Sequence, residues 1–249
     1  MSQIKAVVLA AGKGTRMQSE TCHSPKVLRL ACGRPLLHHV LRQLDFLPPE
    51  DVILVVGYMH EAVEAAFPAY PTALQEPQLG TGHAVSAARP LLEGFRGTVL
   101  VAYGDIPLLR REVYQELLRR HAASKAQCTL LAGADTEDPT GYGRVLTGPD
   151  ESLIGIVEEK DCTDAQRAIR DINAGIYAFD APALLDGLSR LENHNAQQEY
   201  YLTDVPALIQ QAGGKVQVCR AVLGEQVLGV NTPEQLTEIE AHLRRRGEA

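Results

Sequence analysis

The residues best suited to chemistry in this 249-residue chain lie in Leu9-Ala10-Ala11-Gly12-Lys13-Gly14-Thr15-Arg16-Met17 and in the Pro25-Lys26-Val27-Leu28 that follows. Glycine has no Cβ, so a loop holding Gly12 and Gly14 can turn sharply and aim several backbone N–H groups at one point. The backbone from Leu9 to Gly12, with the cations Arg16 and Lys26, makes a receptor for a polyphosphate. An ordinary strand-to-helix turn would also need glycine, but two cations in and after the loop favour phosphate. Met17 stands where the dinucleotide fingerprint requires its third glycine, and the Walker pattern is absent as well. A second candidate is Asp105, in Tyr103-Gly104-Asp105-Ile106-Pro107-Leu108, at the carboxyl end of a strand-like run. Open α/β sheets place their ligands there, and a hard carboxylate oxygen suits Mg²⁺ held against phosphate. The alternative for Asp105 is a cap on the next helix.

These side chains need a scaffold, and the apolar pattern supplies one. The run IKAVV before the glycine loop reads as a buried strand, and so do Asp51–Gly57, Thr72–Gln75 and Thr98–Tyr103. Apolar stripes at helical spacing predict helices over Pro35–Leu41 and His60–Phe67. This strand–helix tempo predicts a largely parallel sheet covered on both faces. His38 and His39 invite a metal reading, but neighbours on a helix point about 100° apart, so one should pack and the other face solvent. Gln78-Leu79-Gly80-Thr81-Gly82-His83-Ala84 is a second glycine loop opening a helix, where N–H groups favour a polar or anionic ligand and Thr81 is a candidate N-cap. From Cys128 onward, CTLLAGAD, GRVL and SLIGIVEE are strand-like runs that suggest a layer added to the edge of the sheet. Glu158 falls beside Glu159, Lys160 and Asp161, so a solvated surface run is its plain alternative. A helix is expected from Pro233 to about Arg246, acidic early and basic at its end, with Asn231 or Thr232 as its cap.

Composition narrows the class. The chain is 45% hydrophobic and 22% charged, and its length suits one α/β domain with a core that needs no covalent staple. A net charge of −7 argues against nucleic-acid binding, which rests on cationic surface, but leaves a nucleotide substrate open. No apolar run approaches the ~20 residues that span a bilayer, and the N-terminus lacks a signal-peptide layout. Five scattered cysteines without a Cys-x-x-Cys indicate neither a disulfide framework nor a zinc site, so a cytoplasmic protein is expected.

Taken as L-A-A-G-x-G-T-R-M followed by P-K-V-L, the first motif resembles the signature of sugar-nucleotide pyrophosphorylases. Gln75 together with Gln78–Ala84 resembles the uridine-binding segment of the N-acetylglucosamine-1-phosphate uridylyltransferase family, and Y-G-D-x-P-L fits it too. Glu199-Tyr200-Tyr201-Leu202-Thr203-Asp204 resembles the segment that packs on the sugar and its N-acetyl group, and Val227–Pro233 completes an ordered set of six motifs from Ile4 to Asn231. One departure is the Gln18–Ser24 segment, a few residues longer than that family's.

The resemblance implies a mostly parallel, Rossmann-like (GT-A-type) α/β sheet with helices on both faces and a β-rich sugar-binding layer. It implies a nucleotidyltransferase domain over 1–231 and a linker helix over 232–249, without the hexapeptide-repeat acetyltransferase that such bifunctional enzymes carry. By the same resemblance, Gln75 and the Gly80 backbone read uracil with Thr81 alongside. Tyr103 and Gly104 join the substrate contacts, and Gly143, Glu158 and Asn173 meet the sugar. Asn231 is the second Mg²⁺ contact beside Asp105. The implied reaction takes UTP and N-acetyl-α-glucosamine 1-phosphate to UDP-N-acetylglucosamine and pyrophosphate, for peptidoglycan and lipopolysaccharide precursors. Arg16 would hold the departing pyrophosphate and Lys26 the charge on the α-phosphoryl oxygens. A monomer or weak oligomer is expected, with neither nucleic acid nor membrane as partner. The rivals are a thymidylyl- or cytidylyltransferase, a nucleotide-sugar-binding module without turnover, and a nicotinamide oxidoreductase.

Overall fold

The computed structural model describes residues 3–14 and 24–248. Its strands are β1 (Ile4–Leu9), β2 (Leu30–Ala31), β3 (Arg34–Pro35), β4 (Val52–Val56), β5 (Thr72–Leu74), β6 (Thr98–Tyr103), β7 (Cys128–Gly133), β8 (Arg144–Thr147), β9 (Leu153–Val157), β10 (Ile172–Asp180) and β11 (Val216–Ala221). The described helices are α1 (Leu36–Gln43), α2 (His60–Ala66), α3 (Thr81–Ala87), α4 (Arg89–Leu92), α5 (Arg111–Ser124), α6 (Asp164–Arg167), α7 (Ala181–Ser189), α8 (Val205–Gln211) and α9 (Pro233–Arg245).

The main sheet runs β11-β7-β10-β6-β1-β4-β5. β1 pairs in parallel with β4 and β6, β4 with β5, and β11 with β7. Only β10 among these strands runs against its neighbours β6 and β7. Alternate residues of β1 enter opposite cores, which shows both faces covered: Ala6 and Val8 pack with Leu37, Val40 and Leu117, and Val7 and Leu9 with Val85, Leu184 and Val205.

The expected parallel sheet is therefore present, but its added layer is smaller than the pattern from Cys128 suggests. Every residue of β7 is buried, so this strand lies inside the main sheet and not on an outer layer. The added layer is the antiparallel ribbon of β8 and β9, joined to β10 at Ile172↔Arg144. The helical pair resolves as its spacing requires. His39 is 3% exposed and its Nε2 meets the Ala31 carbonyl at 2.9 Å, while His38 is half-buried. Among the described residues no helix is long and apolar enough to cross a membrane, and Cys32, Cys128, Cys162 and Cys219 are unpaired.

Candidate active site

Four parallel strands bring the candidate residues to one edge. Leu9 lies opposite both Val55 and Tyr103, so the ends of β1, β4 and β6 are level. Past those ends come Ala10-Ala11-Gly12, Gly57 and Gly104-Asp105, and the Gln75 N–H continues the β5 pairing to the Val56 carbonyl at 2.8 Å. Gly57 has a steric reason to be glycine: a Cβ there would stand 2.8 Å from the Ala11 oxygen and from Gln78 Nε2. At Gly104 a Cβ would come within 3.1 Å of the Leu9 oxygen, so this residue serves close packing of the strand ends.

Two cavities open here and share the wall formed by Tyr103 and Asp105. The first, of about 270 Å³, is lined by Leu9, Ala10, Ala11, Gly12, Lys26, Gln75, Gly80 and Thr81, with Gln78, Ala84 and Glu199. The second, of about 470 Å³, is lined by Gly143, Glu158, Asn173 and Asn231, with Tyr142, Gly175, Thr232 and Gln235. Arg16 lies outside the described residues. The structure thus gathers the remaining sequence candidates, apart from Gly104, around two joined compartments.

Lys26 stands at the junction. The Pro25-Lys26-Val27-Leu28 segment forms a short 3-10 turn over Lys26–Leu28 whose Val27 is buried in the core. From it the Lys26 ammonium donates to Asp105 Oδ2 and, at 3.2 Å, to Asn231 Oδ1. Asn231 reaches this point because the Val230 N–H bonds the Asp105 carbonyl at 3.0 Å. Its side chain is free to do so because Thr232 caps α9, in a reciprocal box with Gln235. Asp105 likewise turns to Lys26, and α5 begins after Arg110 without a side-chain cap. A carboxylate and an amide oxygen that converge on one cation are a donor pair suited to a hard divalent metal. Among the described residues no cluster of three or more His, Cys, Asp or Glu offers another metal centre.

The second glycine loop is clasped by the 199–204 segment. The Tyr200 N–H bonds the Leu79 carbonyl at 2.8 Å, and the Gly82 N–H returns to the Tyr200 carbonyl at 2.8 Å. Gly80 has φ +104°, and a Cβ there would stand 2.6 Å from the Tyr200 oxygen. Thr81 does not cap α3, which begins after Gly80 without a side-chain cap. Its hydroxyl accepts from the Leu202 N–H at 3.0 Å and also meets the Tyr103 phenol. The lining of the second cavity includes neither neighbouring tyrosine: the Tyr200 ring lies 6.3 Å from that of His83, and Tyr201 bonds Asp161 and Gln197.

Around the second cavity, the Asn173 N–H bonds the Gly143 carbonyl at 2.8 Å, which draws the two residues together. A register shift in β10 between Asn173 and Tyr177 lets the Asn173 Oδ1 accept from the Gly175 N–H at 3.1 Å. Glu158 is half-buried and accepts from Thr203 Oγ1 at 3.0 Å, so it is separate from its exposed neighbour Lys160. Burial raises its pKa above the ordinary carboxylate range, against the Thr203 hydrogen bond and with help from Asp204, Asp161 and Glu199. Burial pushes the Tyr103 phenol well up too, with Glu158 the next cause. Gln78 and Glu199 lie in segments that the sequence singled out, and both line the first cavity; sequence reasoning missed Tyr142 and Gln235 as wall residues, which arrive by tertiary contact.

Residues 6–175 match the family described as the MobA-like NTP transferase domain. The chain belongs to that family. Its similarity to curated proteins is high along nearly its whole length. It is 45% identical over 247 residues to the bifunctional protein GlmU of Brevibacillus brevis, covering 99% of this chain and 53% of that protein. It is 44% identical over 252 residues to the bifunctional protein GlmU of Cutibacterium acnes, covering 96% of this chain and 59% of that one. This NTP transferase chain thus spans between half and three-fifths of the length of these relatives. A solved structure of UDP-glucose pyrophosphorylase complexed with UDP-glucose superposes with a TM-score of 0.76 at 15% identity, over 99% of this chain and 100% of that one, which shows the shared fold.

Proposed function

We propose that this chain transfers UMP from UTP to N-acetyl-α-glucosamine 1-phosphate, giving UDP-N-acetylglucosamine and pyrophosphate. The observation that carries the reading is the meeting of Lys26, Asp105 and Asn231 where two cavities share a wall. A nucleotide in the first cavity and a sugar phosphate in the second would bring their phosphates together there. The 45% identity to a GlmU supports the choice of substrates.

The nucleophile is a phosphate oxygen of the sugar phosphate, ionised at neutral pH, so no general base is required. The chain's task is alignment and neutralisation of charge at the α-phosphorus. Lys26 holds charge on the α-phosphoryl oxygens, and Arg16 would hold the departing pyrophosphate. Asp105 and Asn231 would hold Mg²⁺, whose contribution when bound is to draw negative charge from the phosphates. Gln75 and the Gly80 backbone would read the base, and Gly143, Glu158 and Asn173 the sugar.

The test is pyrophosphate release with Mg²⁺ and N-acetylglucosamine 1-phosphate, comparing UTP with dTTP, CTP and ATP. Release with UTP far above the others is expected; release with another nucleotide would overturn the base reading and keep the phosphate site. Asp105→Ala should lower turnover by at least about 10²-fold with an unchanged circular dichroism spectrum, and near-normal activity would remove Asp105 from the site.

A further inference from the structure

Gln75 is 3% exposed, and its amide is held from two sides. Its Nε2 donates to the Gly80 carbonyl at 2.9 Å and lies 3.2 Å from His83 Nδ1. A backbone carbonyl can only accept, so the amide nitrogen and not its oxygen must face Gly80. One hydrogen of that nitrogen is thereby committed, and the other points at the imidazole. Two N–H groups cannot bond each other, so Nδ1 must carry a lone pair and the ring proton must sit on Nε2.

We infer that His83, as the Nε2–H tautomer, is a positioning residue that locks the Gln75 amide so that Oε1 is the atom it offers to the first cavity. This rests on the proposed reading of that cavity as the base pocket. His83 is itself held, because α3 is pinned by the Gly82 N–H on the Tyr200 carbonyl at 2.8 Å and the Tyr200 ring lies 6.3 Å from the imidazole. Both hydrogens of the Gln75 amide point away from the ligand, so its contribution is a fixed acceptor. A pyrimidine with N3–H, uracil or thymine, can donate to it. Cytosine presents a lone pair at N3, which would face Oε1 acceptor to acceptor. A freely turning amide would serve both bases by flipping, and the His83 contact adds a second restraint to the Gly80 carbonyl in holding the amide as a reader.

Two variants of the full chain separate this role from a structural one. His83→Phe keeps the ring volume beside Tyr200 and removes the acceptor. His83→Asn can place an amide oxygen close to where Nδ1 stands. We expect His83→Phe to lower the ratio of kcat/KM for UTP over CTP by about tenfold, more through KM than through kcat. His83→Asn should restore the ratio. A long-range ¹H–¹⁵N correlation spectrum of the unmodified chain should show His83 protonated at Nε2 and not at Nδ1. An unchanged ratio in a folded His83→Phe, or a proton on Nδ1, would overturn the inference. If His83→Phe does not fold, the spectrum alone decides. If the unmodified chain turns over no nucleotide, the proposed reaction fails, while the spectrum still decides His83.

Discussion

At Glu158 one hydrogen bond from Thr203 competes with burial and with the like charges of Asp204, Asp161 and Glu199. Burial is the largest cause, and the pKa is raised. Between the ordinary carboxylate range and that raised value, the folded protein holds a proton that the unfolded chain has lost. Stability therefore falls as pH rises through this window and levels off above it. Glu158→Gln removes the ionisation and keeps an acceptor for Thr203. Calorimetry should show the variant gaining Tm over the parent at pH 7.5 and losing that advantage near pH 4, while KM for the sugar phosphate rises by about tenfold. An advantage that grew toward acid would contradict the assignment. Lys26 sets a second expectation at this scale. Its ammonium already occupies the oxygens of Asp105 and Asn231, so a divalent ion must compete with it. Lys26→Gln should lower turnover by at least about 10²-fold, yet bind Mn²⁺ more tightly in the absence of nucleotide. Electron paramagnetic resonance titration measures this, and weaker Mn²⁺ binding would show that the lysine does not compete.

The second glycine loop and the 199–204 segment form one structural element, although Leu79 and Tyr200 are far apart in the chain. Gly80→Ala would need a side chain at φ +104° and a Cβ 2.6 Å from a backbone oxygen. It should destabilise the fold by about 1–3 kcal/mol in urea titrations and raise KM for UTP. A variant with unchanged stability would show that the clasp can open freely. The strands leading to the site were legible because β1, β4 and β6 are runs rich in β-branched residues with a glycine within three residues of their ends. The reversal of β10 was not. It is buried along all but its last residue, and an apolar run without alternation carries no sign of its direction or of its neighbours. Most site residues could be found from motif order, and Ala10, Gln75, Gly104, Asp105 and Glu158 sit just past a strand end. The Lys26–Asp105–Asn231 meeting and the His83–Gln75 contact could not, since both depend on which side chains tertiary packing brings face to face.

For the molecule as a whole, α9 is the piece that closes the structure. Ile239 and Leu243 are fully buried against Ala31, Leu36, Leu108 and Val230, and the Cys32 N–H bonds Glu240 Oε1 at 2.8 Å. The helix is thus packed onto the residues that precede it. Ile239→Ala should cost about 2–5 kcal/mol in a single cooperative unfolding transition. A separate early transition would show instead that α9 comes away from an otherwise intact domain. We expect sedimentation to show a monomer or a weak oligomer.

Lys26 and Asn231 are separated by 205 positions, and Asn231 reaches Lys26 through the Val230–Asp105 backbone bond. A ribosome delivers these partners at very different times. The phosphate loop, Lys26 and Asp105 leave it early, and Asn231 emerges only after every strand of the main sheet. During translation the growing chain can thus carry a glycine loop and a carboxylate able to meet a nucleotide before it has the amide that completes the cation pair. The order of synthesis keeps the proposed chemistry incomplete until nearly the whole sheet is in place.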